Sequence, residues 1–482
     1  MLPIITASSI LGYNRLMNPI LGTNFLTIQF TMVRPFTSIF FAAALILLIH
    51  PLSAAEPTRQ IGAAEIDITP DFPIRLRGYS GRNDEAKHVS LPLRAKAMAI
   101  GAEPAVLVVF ENCVVPDALV RELSGRLEKK TGLPRHRLTV AATHSHNAPI
   151  LSGMSETLYV HPLPEDQAGR IDRYTRELVD KLEKVATRAI TNRKLASLSW
   201  ATTKATFAIN RRTKGGPSDH DLPVMVARGE DGQVFAIWTS YACHCTTLSH
   251  NRISGDWAGH AMKEIQNAHP GAIALVSAGC AGDQNPVRAA SGEFQAQDAM
   301  ASKHGTEIAK AISELLEGDR LRPVTGDLST QLRFIDLPIA PHPTREEFER
   351  RAKTSDKAGT AGYHARVQLT RLDRGEKLAT TVRYPVQSWN FGKSLAVVFL
   401  GGEVVVDYSL RLKRELDRDR IWINAYANDV ACYIPSERVL KEGGYEGGGA
   451  MVFHDWPASF APGLEKRIVD EVRRQNPNFL RP

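Results

Sequence analysis

The sequence predicts an α/β fold, with a mixed sheet core and flanking helices in a single large domain. Short apolar runs of strand type alternate with longer amphipathic stretches from Ile61 to the C-terminus, the pattern of layered sheet and helix. No internal repeat or low-complexity segment interrupts them, and the composition does not change after Ala55. The 482 residues, 43% hydrophobic and 23% charged, are ordinary globular material. A chain of this length can bury a core without disulfide staples.

Each element has a local reason. Ala105–Phe110 is a continuous apolar run, expected as a buried strand. Apolar positions at helical spacing follow from Ala118 to Lys130 and stop at Gly132-Leu133-Pro134. Leu138–Ala142 reads as the next strand, and Arg170–Ile190 as a long amphipathic helix. Val224–Arg228 and Val234–Tyr241 flank Glu230-Asp231-Gly232, a hairpin turn signal. Trp257–His269 and Ala299–Leu316 have helical patterns, with a buried strand at Ala272–Ser277 between them. The charged stretch Arg345–Lys377 reads as a helical insertion. Leu395–Leu400 and Ile421–Ala425 resume buried-strand character, and Phe460–Arg474 reads as a closing helix.

Residues 1–55 stand apart. They hold no Asp or Glu, and their only Arg residues are Arg15 and Arg34. The apolar run Phe36–Ile49 follows Arg34 and ends at Pro51-Leu52-Ser53-Ala54-Ala55. Basic, apolar and small-residue segments in that order make a secretory signal peptide. The run is short for a membrane span of ~20 residues, so an uncleaved anchor is the alternative. Met32, just before Val33-Arg34, is a second candidate start. The expected organisation is therefore a removable segment 1–55 and a domain 56–482, working in the periplasm, at the cell envelope or outside the cell. The net charge is +7, from 59 Lys and Arg against 52 Asp and Glu, without a block of five like charges. That distribution gives no footprint for nucleic acid. Cys113, Cys243, Cys245, Cys280 and Cys432 are odd in number in a long chain, which argues for buried free thiols over a disulfide framework.

Five clusters can carry chemistry. Thr143-His144-Ser145-His146-Asn147 follows the strand at Leu138–Ala142. On a strand, residues two apart share a face, so the two imidazoles can converge on a metal. Tyr241-Ala242-Cys243-His244-Cys245 is followed by Ser254-Gly255-Asp256 and His260. Asp256 stands at a natural helix N-cap, and surface or capping roles suit His250 and His260. A structural zinc on Cys243, His244 and Cys245 is a weak option, because on a strand the thiols face away from the imidazole. Ser277-Ala278-Gly279-Cys280-Ala281-Gly282-Asp283-Gln284-Asn285-Pro286 takes a buried strand into a small-residue loop that lets backbone approach a ligand. Gly401-Gly402-Glu403 puts a carboxylate just past a buried strand, where it could also cap a helix. Tyr433, in Cys432-Tyr433-Ile434-Pro435, and Tyr445, before Glu446-Gly447-Gly448, lie twelve residues apart.

Taken in order, these segments resemble the neutral, non-lysosomal ceramidase family. The likeness begins at Ile61-Gly62-Ala63-Ala64-Glu65-Ile66-Asp67-Ile68-Thr69-Pro70 and continues through Gly78-Tyr79 and Leu93-Arg94-Ala95-Lys96-Ala97. It then takes in Ala142-Thr143-His144-Ser145-His146, Ala208-Ile209-Asn210-Arg211, and His244 with Ser254-Gly255-Asp256 and Gly259. Gly402-Glu403, Tyr433 and Tyr445-Glu446-Gly447 complete it, so that the order holds from about Ile61 to Ala450.

The resemblance implies a zinc amidase with one Zn2+ per chain, held by His144, His244, Glu403 and Tyr433. His146 and Tyr445 would stand beside the metal, with Asp283 and Asn285 in the catalytic loop and Arg211 holding substrate. The implied substrate is an N-acyl sphingosine-like lipid amide or a related ester, with peripheral membrane contact. Two departures are visible. Asn285 stands where the family carries a catalytic serine, and the chain ends soon after Tyr445-Glu446-Gly447, so the family's C-terminal β-sandwich is expected to be absent. Two other readings stay open. One is a binuclear metallohydrolase using His144, His146, Asp256 and His260. The other is a catalytically impaired, zinc-containing binding protein on the same scaffold.

Overall fold

Continuous apolar runs become the central strands of two stacked sheets. The computed structural model describes residues 58–481 apart from 155, 156, 160 and 354–358. The signal-peptide segment lies outside the described residues. The strands in chain order are β1 (Thr58–Asp67), β2 (Arg94–Ile100), β3 (Ala105–Phe110), β4 (Leu138–Ala142), β5 (Lys194–Lys204), β6 (Ala208–Asn210), β7 (Asp221–Gly229), β8 (Val234–Tyr241), β9 (Ile273–Ala278), β10 (Gln284–Pro286), β11 (Arg322–Pro323), β12 (Leu328–Pro338), β13 (Thr381–Phe391), β14 (Leu395–Leu400), β15 (Glu403–Val404), β16 (Ile421–Asn424) and β17 (Tyr433–Ile434). The helices are α1 (Asp117–Thr131), α2 (Glu165–Thr191), α3 (Asp256–Ala268), α4 (Phe294–Glu317), α5 (Arg345–Lys353), α6 (Thr360–Asp373), α7 (Val406–Glu415), α8 (Glu437–Glu442) and α9 (Leu464–Gln475).

The larger sheet runs β4-β3-β2-β1-β5-β7-β8-β9, with β11 added to β5. Its middle is antiparallel, and its two ends are the parallel pairs β3–β4 and β8–β9. The smaller sheet runs β12-β13-β14-β16, with β14 and β16 parallel. Alternation along single strands sorts side chains between layers. In β3, Leu107 and Val109 point into the space between the sheets, while Val106, Val108 and Phe110 face α1 and α2. In β14, Val397 and Phe399 face inward, while Val398 and Leu400 face α7 and α9. Helices α3 and α4 cover the opposite half of the larger sheet through Trp257, Ile265, Ile308 and Ile312. The mixed α/β class with flanking helices is thus the observed one, as four layers of helix, sheet, sheet and helix.

Several elements match the sequence reading to the residue: β3, β4, β8 and β14. Helices α2 and α4 begin five residues earlier than their apolar periodicity indicates, at Glu165 and Phe294. Strands β1, β2, β5, β12 and β13 are not among the elements the patterning picks out. Half-exposed β12, for example, mixes Ser, Thr, Gln and Arg with its apolar residues. The charged stretch after Arg345 forms α5 and α6, which pack on each other. Helix α6 braces the turn Gly449–His454. Gln368 Nε2 donates to Asp455 Oδ1 at 2.9 Å, and His364 Nε2 donates to the Trp456 carbonyl at 3.0 Å. All five cysteines are buried and free, as expected. No helix among the described residues is long and apolar enough to cross a membrane.

The inter-sheet layer is knitted by aromatic rings. Trp238 on β8 stacks on Trp422 of β16 at 4.1 Å between centroids and on Phe399 of β14 at 5.8 Å. Its indole N–H also donates to Ser277 Oγ at 2.9 Å. Trp238→Ala is expected to lower stability by about 3–5 kcal/mol, read from a denaturant melt. A loss below about 1 kcal/mol would show that the sheets do not depend on this contact.

Candidate metal centre

The carboxyl ends of β3, β4, β8, β9 and β14 open toward one place, the usual location of a site in layered sheets. Strand β4 stops at Ala142, and His144 adopts φ 64°, a left-handed conformation rare for a non-glycine residue. The extended-strand argument for His144 and His146 therefore does not describe this segment. The two rings still meet, with Nε2 to Nε2 at 3.1 Å, because the turn swings one imidazole against the other. Ser145 then forms a parallel bridge with Cys245, and His146 N–H donates to the Cys245 carbonyl at 3.2 Å. That bridge lays His144 beside His244, with ring centroids 4.5 Å apart.

Each imidazole is oriented from behind. His144 Nδ1 donates to the Cys113 carbonyl at 2.6 Å, and His244 Nδ1 donates to the Ala281 carbonyl at 2.6 Å. A carbonyl only accepts, so both Nδ1 atoms carry hydrogen and both Nε2 atoms face the centre. Glu403 arrives from the other sheet. Gly402 has φ 74°, and a Cβ there would lie 2.5 Å from Ile434 Cγ1 and 2.8 Å from the Cys432 carbonyl, so only glycine makes the turn. Strand β15 pairs with β17 so that Glu403 lies opposite Tyr433. Glu403 Oε2 reaches 3.2 Å from His144 Nε2 and 3.4 Å from His244 Nε2. Tyr433 Oη lies 3.3 Å from His244 Nε2.

The electrostatics follow from burial of this group. Burial disfavours a charged His144, but the adjacent Glu403 carboxylate outweighs it and lifts the imidazole to about 10. Burial pushes Glu403 up, and His144 and His244 hold it well below the carboxylate range. His244 is lowered to about 4 by burial, with the charges of Arg211 and His144 adding to the effect. His146 is lowered well below its ordinary value by burial and by its two neighbouring imidazoles. Burial raises Tyr433 well above the ordinary phenol range, with Arg211 opposing. The ligating atoms of His144, His244 and Glu403 lie within 4.8 Å of one another. Two oriented imidazoles and one carboxylate are a donor set that fits a zinc-type divalent cation. Cys113, His144 and His146 form a second convergent set that shares His144.

The other expected residues take definite places. Arg211 is held by protein on every side. Its Nε donates to Glu446 Oε1 at 2.6 Å and its Nη2 to Tyr433 Oη at 3.1 Å. Its Nη1 lies 3.2 Å from His244 Nε2 and donates to Asn285 Oδ1 at 3.4 Å. Arg211 thereby ties Asn285 and Tyr433 to the centre. Asp283 accepts from Asn210 Nδ2 at 3.0 Å and from the Val406 N–H at 2.8 Å, so its two oxygens brace the loop against β6 and α7. Tyr445 is 46% exposed and packs its ring 5.3 Å from Tyr433, at the mouth of a cavity. Asp256 accepts from the Leu248 and Trp257 N–H groups, and His260 faces Asp298 at 3.7 Å. Among the described residues neither joins a cluster of three convergent donors, so the binuclear set His144, His146, Asp256 and His260 is not assembled.

The cavity holds about 310 Å³, and its walls include Arg77, Tyr79, His146, Glu403, Tyr445 and His454. Sequence reasoning did not single out Arg77, His454 or Glu446. His454 Nε2 lies 3.9 Å from Glu403 Oε1. Glu446 joins Arg211 to Arg212, whose Nη1 it accepts at 2.6 Å. Glu446 directly follows Tyr445 in the Tyr445-Glu446-Gly447 motif. Arg77 directly precedes the Gly78-Tyr79 motif, and His454 carries no periodic or spacing signal.

The class is thus a two-sheet α/β protein with a buried His-His-Glu donor cluster at the strand ends. No protein-family model and no curated protein matches the chain. Among solved structures, the neutral ceramidase from Pseudomonas aeruginosa superposes with a TM-score of 0.66 at 17% identity, covering 89% of this chain and 76% of that one. A ceramidase complexed with C2 superposes with a TM-score of 0.67 at the same identity and coverage. The chain has the fold of those ceramidases.

A divalent cation at the donor cluster would replace the proton that His144 shares with Glu403. Binding of Zn2+ is therefore expected to release about one proton, with apparent affinity rising with pH up to about pH 10. Calorimetric titration in buffers of different ionisation enthalpy measures this. Binding without proton release would contradict the charge assignment.

Proposed function

We propose that the chain is a zinc-dependent hydrolase that cleaves an amide, a lipid N-acyl amide or related ester, by the action of water. The observation that carries this reading is the convergence of His144, His244 and Glu403 on one point, beside a cavity whose wall includes Glu403. The shared fold with neutral ceramidases supports it. Export of the chain through the 1–55 segment, and contact with a membrane surface, belong to the same proposal.

Zinc held by His144, His244, Glu403 and the adjacent Tyr433 would supply Lewis acidity and bring the pKa of water toward ~7. The chain's own groups do the rest. His146 is neutral and stands 3.1 Å from His144, so it can take a proton from attacking water and return it to the leaving amine. Tyr445, at the cavity mouth, can donate its hydroxyl to the developing oxyanion, a contact worth roughly 3 kcal/mol. Asn285 has an amide in place of a nucleophilic hydroxyl. Its Oδ1 is engaged by Arg211, and its Nδ2 is a further oxyanion donor. Water is then the nucleophile, without a side-chain acyl intermediate. Arg211, with its charge offset by Glu446, keeps Tyr433 turned to the centre.

His144→Ala is expected to abolish both zinc binding and hydrolysis, measured by metal analysis and by an acyl-amide panel with and without chelator. Tyr445→Phe is expected to lower turnover by about 100-fold with zinc content unchanged. Full zinc retention in His144→Ala would refute the ligand assignment, and equal loss of zinc and turnover in Tyr445→Phe would make Tyr445 structural.

A further inference from the structure

Three arginines line the segment from Arg75 to Arg82, and two of them make side-chain hydrogen bonds to protein. Arg75 Nε donates to Gln167 Oε1 at 2.7 Å, and its guanidinium lies over the Tyr159 ring at 4.9 Å. Arg82 donates to the carbonyls of His146, Ser249 and His250, and lies over Tyr79 at 4.6 Å. Arg77 differs. It is 3% exposed, and its Nη1 is buried with no hydrogen-bond partner. No carboxylate pairs with it among the described residues. Its backbone is fixed, since Arg77 N–H donates to the Ala148 carbonyl at 3.0 Å, two residues beyond His146. Its side chain lines the same cavity as His146, Glu403 and Tyr445.

An unpaired guanidinium in such a place is costly unless something pairs with it. Among the described residues the cavity wall offers no spare anion. Its only acidic residue there is Glu403, which is committed to His144 and His244. Arg211, the other cation at the centre, is already offset by Glu446. A divalent ion at the donor cluster would make the wall more positive still. A ligand in the cavity can supply the counter-charge, and the planar fork of a guanidinium matches a carboxylate best.

We infer that Arg77 is a specificity-determining residue that pairs with a carboxylate on the substrate, so that the preferred substrate is an anionic amide of the N-acyl amino acid class and not a neutral ceramide-like lipid. This rests on the hydrolase reading above and narrows it. A neutral sphingoid amide would leave the guanidinium unpaired. The apolar side chains of Leu158 and Phe453 on the same cavity suit the acyl chain.

The test compares N-dodecanoylglycine with N-dodecanoylethanolamine, which share acyl chain and amide and differ in the carboxylate. With the zinc-loaded protein, kcat/KM is expected to favour the carboxylate by about 10- to 100-fold. Arg77→Met should bring the two within about threefold of each other, and Arg77→Lys should keep part of the preference. Unchanged zinc content in both variants shows that the centre survives. Equal rates for the two amides in the parent protein, or an unchanged ratio in Arg77→Met, would overturn the inference. If neither amide is hydrolysed, the hydrolase reading falls by itself. Calorimetric binding of the same two amides then decides the charge preference. Tighter binding of the carboxylate that is lost in Arg77→Met supports the inference, and equal affinities overturn it.

Discussion

Two imidazoles and a carboxylate are buried against one another at the ends of two packed sheets, and much of the surrounding structure serves to keep them there. Burial alone would neutralise all three groups. Their proximity reverses this at His144 and Glu403, which stabilise each other's charge. The cluster is therefore an electrostatic unit in which the state of each member depends on the others, and its donor set fits a divalent cation.

Keeping these groups together takes unusual backbone. Four non-glycine residues with positive φ, His144, Asp256, Tyr426 and Asn428, lie on segments around the strand ends. Strain of this kind costs of order 1–3 kcal/mol per residue and persists only where its surroundings enforce it. Here the enforcement is visible. The Ser145–Cys245 bridge fixes the His144 turn, and Tyr426 packs its ring 4.4 Å from that of His144. Asn428 N–H donates to the Val140 carbonyl at 2.7 Å, tying the two sheets where they approach the site. The aromatic layer around Trp238 gives these loops a rigid base.

The sequence exposed some of this and hid the rest for physical reasons. Strands β3, β4, β8 and β14 are buried on both faces, so their runs are continuously apolar and easy to bound. Strands β1, β12 and β13 carry glycine, charge or exposed faces, and their pairing depends on partners far along the chain. His144, His244, Glu403 and Tyr433 were legible through an ordered set of short motifs, not through periodicity. The turn at His144 was not, because a left-handed residue there is imposed by the contact with Cys245. Arg77 and His454 were hidden because a place on a cavity wall is a property of the folded chain. The stretch after Arg345 looked like an insertion, yet α6 supports the turn that carries His454.

His144, His244 and Glu403 form one cluster of donors that could hold a metal ion. The most direct measurement is anomalous diffraction at the zinc edge from crystals grown with Zn2+. A single strong peak is expected within coordination distance of His144 Nε2, His244 Nε2 and Glu403 Oε2, with Tyr433 beside it. A peak among Cys113, His144 and His146, or no peak near Glu403, would contradict it.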